Sequence, residues 1–296
     1  MEKDLIKTTE INELKLMSRG KVRDIYELDD NLLIVTTDRV SAFDFILKRT
    51  IPFKGIVLNK LSVHNFNKTK EIIENHLIYS DFNLLPSYLR KYEYLKDRFM
   101  VVKKTKPLPV ECIVRGYITG SAWTEYIKTQ TIGGMHIKPG LLESEKFAKP
   151  IFTPSTKSEK GHDENISINE MISMIGRERT DEVINVSLKL YELISAHFYD
   201  SGIIIADTKM EFGIRNNRLI FIDEAFTPDS SRFWYKDKYK IGEKQEPLDK
   251  QFIRNYLLST NWDGKSVPPD LTSEIVKKTS EIYCEIYRII TNESIS

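Results

Sequence analysis

Two cysteines in 296 residues leave no material for a disulfide framework or a thiolate metal cluster, which suits a reducing compartment. Cys112 sits between Glu111 and Ile113 in a strand-like run, where a core or pocket-wall thiol is expected rather than a nucleophile. No apolar run approaches the roughly 20 residues of a bilayer-spanning helix. Residues 1–6 lack the apolar stretch of a secretory signal, and a cytoplasmic protein is expected. Charge of one sign is missing too, since 44 Lys and Arg face 43 Asp and Glu for a formal net charge of +1. A general electrostatic grip on nucleic acid or an acidic membrane is therefore not expected. The aromatics are scattered, which argues against a base-stacking platform. Internal repeats and low-complexity tails are absent as well.

The chemistry lies where apolar runs stop at carboxylates. Residues 219–222 end on Asp223 and Glu224; a turn with Pro228 follows, then Asp229, Ser230, Ser231, Arg232, Phe233 and Trp234. Carboxylates at a strand end suit a hard cation such as Mg2+, which takes oxygen ligands. Arginine clamps phosphate or carboxylate through its planar fork of donors. A strand running into a solvated turn has the same look, but the combination recurs upstream. There an apolar run ends in Asp207, Lys209 and Glu211 at alternate positions, which share one face of an extended chain. Asn216-Asn217 supplies the turn chemistry for a reversal into the next strand. The two acidic strand ends are thus expected to meet.

The first part of the chain reads as β-rich, with strands near residues 31–37 and 98–102 and helix-like patterns over 55–67 and 70–75. Lys106-Pro107-Leu108-Pro109 is the strongest punctuation, because neither proline can pair within a central strand. It divides the chain into a lobe of residues 1–108 and a lobe of residues 109–296. Residues 110–114 read as a strand and residues 129–165, rich in Gly, Pro, Thr, Ser and Lys, as largely loop. Ser167 and Glu170 form a capping box. Helical spacing runs over 181–198, with His197 read as a packing or capping residue. A last helix is expected over 271–290, with Tyr283 and Tyr287 as packing residues.

Four further segments carry weaker signals. Ser18-Arg19-Gly20-Lys21-Val22-Arg23 sets a glycine among three cations; it lacks the second glycine and hydroxyl of a P-loop, and on pattern alone a solvated hairpin is the favoured reading. Asp38-Arg39 follows a strand, where the aspartate can simply cap a turn. Arg115 to Ser121 combines an arginine, two glycines and two hydroxyls as a candidate anion cradle. Thr156-Lys157 suits a carboxylate or phosphate, and His162-Asp163 reads either as a base or metal pair or as surface loop.

Taken together, these segments resemble the SAICAR synthetase family of purine biosynthesis. The resemblance rests on Gly20-Lys21-Val22-Arg23-Asp24, Asp38-Arg39-Val40-Ser41-Ala42-Phe43-Asp44 and Arg115-Gly116-Tyr117-Ile118-Thr119-Gly120-Ser121. It continues, in the family's order, through Pro154-Ser155-Thr156-Lys157, His162-Asp163-Glu164-Asn165, Asp207-Thr208-Lys209-Met210-Glu211-Phe212-Gly213 and the stretch from Asp223 to Trp234. Met210, Ala225 and Phe226 depart from the family's usual residues but are apolar and touch no implied role.

The resemblance implies an α+β fold of two lobes with a kinase-like ATP cleft, in a monomer rather than a dimer. It implies small-molecule partners, carboxyaminoimidazole ribonucleotide (CAIR) and L-aspartate, joined with ATP and Mg2+ to give SAICAR, ADP and phosphate through an acyl phosphate. Ser18, Arg19, Gly20, Lys21, Val22, Arg23 and Glu111 would hold ATP, with Lys21 and Arg23 as the phosphate cations. Glu211 and Asp223 would hold Mg2+. Arg115, Ser121, Asp229 and Arg232 would bind the ribonucleotide, and Thr156 and Lys157 the aspartate. Asp207 and Lys209 would stand between metal and nucleotide, and Asp38 would orient a substrate amine. The rival reading is a small-molecule kinase using Mg-ATP, but the His-Arg-Asp catalytic loop of protein kinases is missing from the sequence.

Overall fold

The computed structural model describes residues 5–157 and 164–295, so His162 and Asp163 lie outside the described residues. Antiparallel pairing builds two main sheets and two short two-stranded ribbons among the described residues. The first has five strands in the order Leu16–Arg19, Arg23–Leu28, Asn31–Thr36, Phe99–Lys103, Leu77–Tyr79. The second is arranged around the 13-residue strand Ile203–Arg215. That strand pairs with Lys106–Pro107, Val110–Tyr117, Arg218–Ile222 and Ser231–Tyr235, and Lys146–Thr156 adds an edge beyond Val110–Tyr117. Asn216 (φ 50°) and Asn217 (φ 61°) form the two-residue turn into Arg218–Ile222. Positive φ at both centres is what a tight hairpin between twisted strands requires.

Helices Lys54–Thr69, Arg177–Asp200 and Ser273–Thr291 close over the sheets. One apolar core runs through all of them, taking Ile34 and Met100 from the first sheet, Val114 and Phe233 from the second, and Phe66, Leu190 and Ile286 from the helices. Ser167 and Glu170 make the reciprocal capping box, with Oγ accepting from Glu170 N at 3.2 Å and the carboxylate accepting from Ser167 N at 2.7 Å. His197 packs flat against His64, ring centroids 5.8 Å apart. No helix among the described residues is long and apolar enough to cross a membrane.

Three expectations change. Within the stretch read as largely loop, Lys146–Thr156 is instead an 11-residue strand. Its prolines misled the reading: an edge strand has only one neighbour, and Pro150 falls in the ladder irregularity between Lys146 and Ile151. Residues 70–75 are not helical, the helix ending at Thr69. Pro107 does pair, opposite Gly213, in a two-residue edge segment.

Arg177–Asp200 lies against the second sheet at a point where only glycine fits. A Cβ on Gly116 would come 2.0 Å from the Tyr191 hydroxyl, which donates to Ile205 O at 2.6 Å. Gly116→Ala is expected to destabilise the protein by roughly 1–3 kcal/mol through overpacking. Thermal unfolding should show the loss, and adding Tyr191→Phe, which deletes the nearest atom, should recover part of it.

Candidate active site

The polar end of Ile203–Arg215 organises the site. Met210 and Phe212 enter the core, so Asp207, Lys209 and Glu211 share the opposite face. The register sets Asp207 between Arg115 on one neighbour and Arg232 on the other. Arg115 Nη1 and Arg232 Nη1 both donate to Asp207 Oδ2, at 3.0 and 2.7 Å. Arg232 in turn crowds Gly120, where a Cβ would meet its guanidinium at 2.7–2.9 Å. Gly120, at φ 57°, opens the helix Gly120–Thr129 and leaves Ser121 in its first turn.

Two positions along, Lys209 donates to Glu111 and lies 3.6 Å from Glu211 Oε1, while Lys157 donates to Glu211. Burial pulls the Lys209 pKa down, but Glu111 and Glu211 overcome it and hold the ammonium above its ordinary range. Burial, with Asp223 adding repulsion, raises the Glu211 pKa against the pull of the two lysines. Phe221 anchors the neighbouring strand end, its ring 5.1, 5.5 and 6.4 Å from those of Phe66, Phe212 and Phe226. Just beyond it stands Asp223, at φ 71°. Burial opposes its ionisation, yet Arg23, Lys209 and Lys157 keep its pKa low. Arg23 reaches across from the first sheet, 2.8 Å from Asp223 Oδ1 and 3.1 Å from Glu224 Oε1.

A cavity of about 360 Å³ opens beside these groups, lined by Lys21, Glu111, Arg115, Ser121, Asp207, Lys209, Asp229 and Arg232 among others. Eight of the expected site residues therefore meet there. Glu211 and Asp223 adjoin it through Lys209. Among the described residues no three His, Cys, Asp or Glu side chains form a metal cluster. Glu211 and Asp223 nevertheless fit Mg2+, which is commonly held by one or two carboxylates with substrate phosphates completing its shell. Their mutual repulsion, visible in the raised Glu211 pKa, is what a cation between them would relieve.

Several expected residues serve elsewhere. Asp38 is fully buried and accepts from Ile6 N (2.8 Å), Gly55 N (2.9 Å) and Arg98 Nη1 (3.1 Å), so it cannot orient a substrate amine. Arg19 turns back to Thr9 O and Asp24 and does not line the cavity. Val22 packs on the core, Ser18 lies on an exposed edge strand, and Thr156 Oγ1 accepts from Glu164 N. Arg23 is occupied by the two acidic side chains. Asp229 is spoken for as well: burial opposes its ionisation, but Lys250 (3.7 Å) and Lys54 (2.8 Å) hold its pKa far below the usual range, and Tyr283 donates at 2.7 Å. Sequence reasoning missed Lys54, Lys250 and Asp249 at this wall, and Tyr283 proves to be more than packing. Asp249 accepts from Phe233 N and Gln251 N at 2.9 and 2.6 Å, and burial pushes it up to about 6.

The chain matches the family model described as SAICAR synthetase over residues 16–269. A phosphoribosylaminoimidazole-succinocarboxamide synthase from Thermodesulfovibrio yellowstonii is 52% identical over 291 residues, 98% of this chain and 100% of that protein. A SAICAR synthase from Saccharomyces cerevisiae, solved in complex with SAICAR, superposes with a TM-score of 0.89 at 44% identity, covering 98% of this chain and 99% of the other. A SAICAR synthetase solved in complex with ADP superposes at 0.70 with 25% identity, covering 94% and 99%. With its α+β fold and the match spanning almost the whole sequence, the chain belongs to the SAICAR synthetase family.

Proposed function

We infer that the cleft between the two sheets carries out the family's reaction with the residues described above. The chain is an ATP-dependent carbon–nitrogen ligase of purine biosynthesis, joining CAIR to L-aspartate and giving SAICAR, ADP and phosphate. A carboxylate acylates poorly because its leaving group would be oxide. On our reading, the CAIR carboxylate oxygen bonds to the γ-phosphorus of ATP as the bridge to ADP breaks. The aspartate nitrogen then bonds to the acyl carbon as phosphate leaves, and its protons pass to solvent.

The observation that carries this reading is Lys209, held between Glu111 and Glu211 one alternate position from the doubly bracketed Asp207. With its pKa raised, Lys209 stays charged through the neutral range. It acts by stabilising negative charge on the activated carboxylate, not by taking a proton. Arg115 and Arg232 each spend one nitrogen on Asp207 and keep further donors for the ribonucleotide. The hairpin turn at Gly20 is braced by Arg39, which donates to Gly20 O (2.9 Å) and Lys21 O (3.3 Å), so Lys21 is presented toward ATP phosphates from a firm support. Glu211 and Asp223 are the proposed Mg2+ ligands, and the ion supplies charge neutralisation at the transferring phosphoryl group. Arg23 serves first as their counter-ion. Lys157, paired with Glu211, is the remaining candidate for an aspartate carboxylate.

ADP release with each co-substrate omitted in turn tests the whole reading. Release coupled to SAICAR formation should need both CAIR and L-aspartate; release without either, as phosphate passes to another acceptor, would return the kinase reading. Asp223→Asn keeps the shape and tolerates positive φ. It should lower kcat by about a hundredfold or more, as expected for a lost charge-stabilising group, and raise the Mg2+ concentration needed for half-maximal rate. Retained kcat would remove Asp223 from the metal site. Arg232→Lys replaces a fork by a point charge and should raise the KM for CAIR about 10- to 100-fold. An unchanged CAIR dependence would show that Arg232 serves Asp207 alone.

A further inference from the structure

The turn at the tip of the first hairpin has its carbonyls drawn inward. Gly20 N donates to Arg23 O at 2.7 Å, which closes the turn between Leu16–Arg19 and Arg23–Leu28. Three successive carbonyls of that turn are then taken by residues just past the strand Asn31–Thr36. Gly20 O and Lys21 O accept from Arg39, at 2.9 and 3.3 Å. Val22 O accepts from Thr37 N and Thr37 Oγ1, at 2.9 and 2.5 Å. A trans peptide sets its C=O and its N–H on opposite sides. The N–H groups of Lys21 and Val22 therefore point away from the buried guanidinium, and Lys21 itself lines the cavity. Adjacent backbone N–H groups turned the same way make a concave donor for anions.

Arg39 is built into the fold. It is 4% exposed, and besides the two carbonyls it donates through Nη2 to Asp24 Oδ1 at 2.7 Å and through Nη1 to Lys7 O at 2.6 Å. Asp24 is fully buried, and its other oxygen accepts from Thr9 N and Thr9 Oγ1 at 3.0 and 2.8 Å. Ile6 N donates to Asp38 Oδ2, and Asp38 N donates back to Ile6 O, both at 2.8 Å. The segment from Ile6 to Thr9 thus straps the guanidinium and the residue before it from behind. A planar fork with donors on three nitrogens can hold two carbonyls of one turn at once, which a single ammonium does not match.

We propose that Arg39 is a positioning residue for the nucleotide: it turns the Lys21 and Val22 N–H groups outward to receive phosphate oxygens, and the Ile6–Thr9 segment keeps it in place. Arg39 acts through the peptide groups of the turn and touches no phosphate. The grip on the phosphates is then backbone as well as ammonium, set before the nucleotide arrives. The proposal rests on the assignment of the Gly20 hairpin to ATP phosphates.

Calorimetric titration of Arg39→Lys with Mg-ADP tests it, beside adenosine, which has the base and ribose but no phosphate. Lysine keeps a cation on Asp24 but cannot hold both carbonyls of the turn. The ADP Kd should rise about tenfold, as for a loop that must be ordered anew on binding, while the Kd values of adenosine and CAIR stay as they are. Thr37→Val deletes one bond to Val22 O and keeps the side chain's shape. It should move the ADP Kd the same way by less, and it carries the test if Arg39→Lys does not fold. In a Lys21→Met background Arg39→Lys should weaken ADP further, because the backbone donors are separate from the lysine ammonium. An unchanged ADP Kd in the folded single variants would overturn the proposal. So would parallel losses for adenosine and CAIR, which mark a general loosening, or no further loss in the Lys21→Met background. Failure of the underlying hairpin assignment looks different, because Lys21→Met alone would then leave the ADP Kd unchanged.

Discussion

A buried carboxylate either finds a cation or takes up a proton, and the cleft is built on that constraint. Each acidic side chain is met by a cation from a different element. Asp207 has arginines from the strands on either side, Asp223 has Arg23 from the other sheet, and Asp229 has Lys54 from the helix Lys54–Thr69. Asp249 is the exception that shows the rule: the backbone N–H groups of Phe233 and Gln251 donate to it, and burial lifts its pKa to about 6. The same pairs that keep the carboxylates ionised also fix where the strands and helices sit. Preorganisation and architecture are one set of contacts here.

Ion pairs of this kind specify more than they stabilise, because desolvation offsets much of the Coulomb gain. The favourable free energy comes from the apolar core that runs through both sheets. Asp38 illustrates the division. The helix Lys54–Thr69 starts after Phe53, at φ 62° with no side-chain cap of its own. Its Gly55 N–H is satisfied by Asp38, which arrives from the far side of a turn together with Arg98. Gly55 also packs so tightly that a Cβ would lie 2.5 Å from Thr36 O. Asp38 thus acts as a remote N-cap that docks the helix against the first sheet, carrying Lys54 to Asp229.

This contact also explains where the sequence was legible and where it was not. The alternation Asp207, Lys209, Glu211 was readable because a strand has period 2, and the Asn216-Asn217 reversal because few residues take positive φ. The capping box at Ser167 was readable because its partners are three residues apart. Lys54 reaching Asp229 across 175 positions, and Arg23 reaching Asp223 across 200, left no local signature. The cations near Gly20 were visible as charge; that Arg23 is engaged by Asp223 was not, because the partner lies 200 positions away. The edge strand Lys146–Thr156 was hidden because prolines that exclude a central strand cost an edge strand little.

The near-zero net charge now has a structural reading. A cleft for ATP, a ribonucleotide and a dicarboxylic acid could be a strongly basic hole that draws anions by its field. This one is internally neutralised, with its lysines and arginines already engaged by carboxylates. On the proposed reading, anionic substrates enter by sharing these donors, each phosphate or carboxylate taking up N–H groups that an acidic side chain leaves over. With donors shared in this way, occupancy turns on geometry, which a screened long-range field would read poorly. A chain with one net positive charge can therefore gather three anions, provided they arrive where its own ion pairs leave donors over.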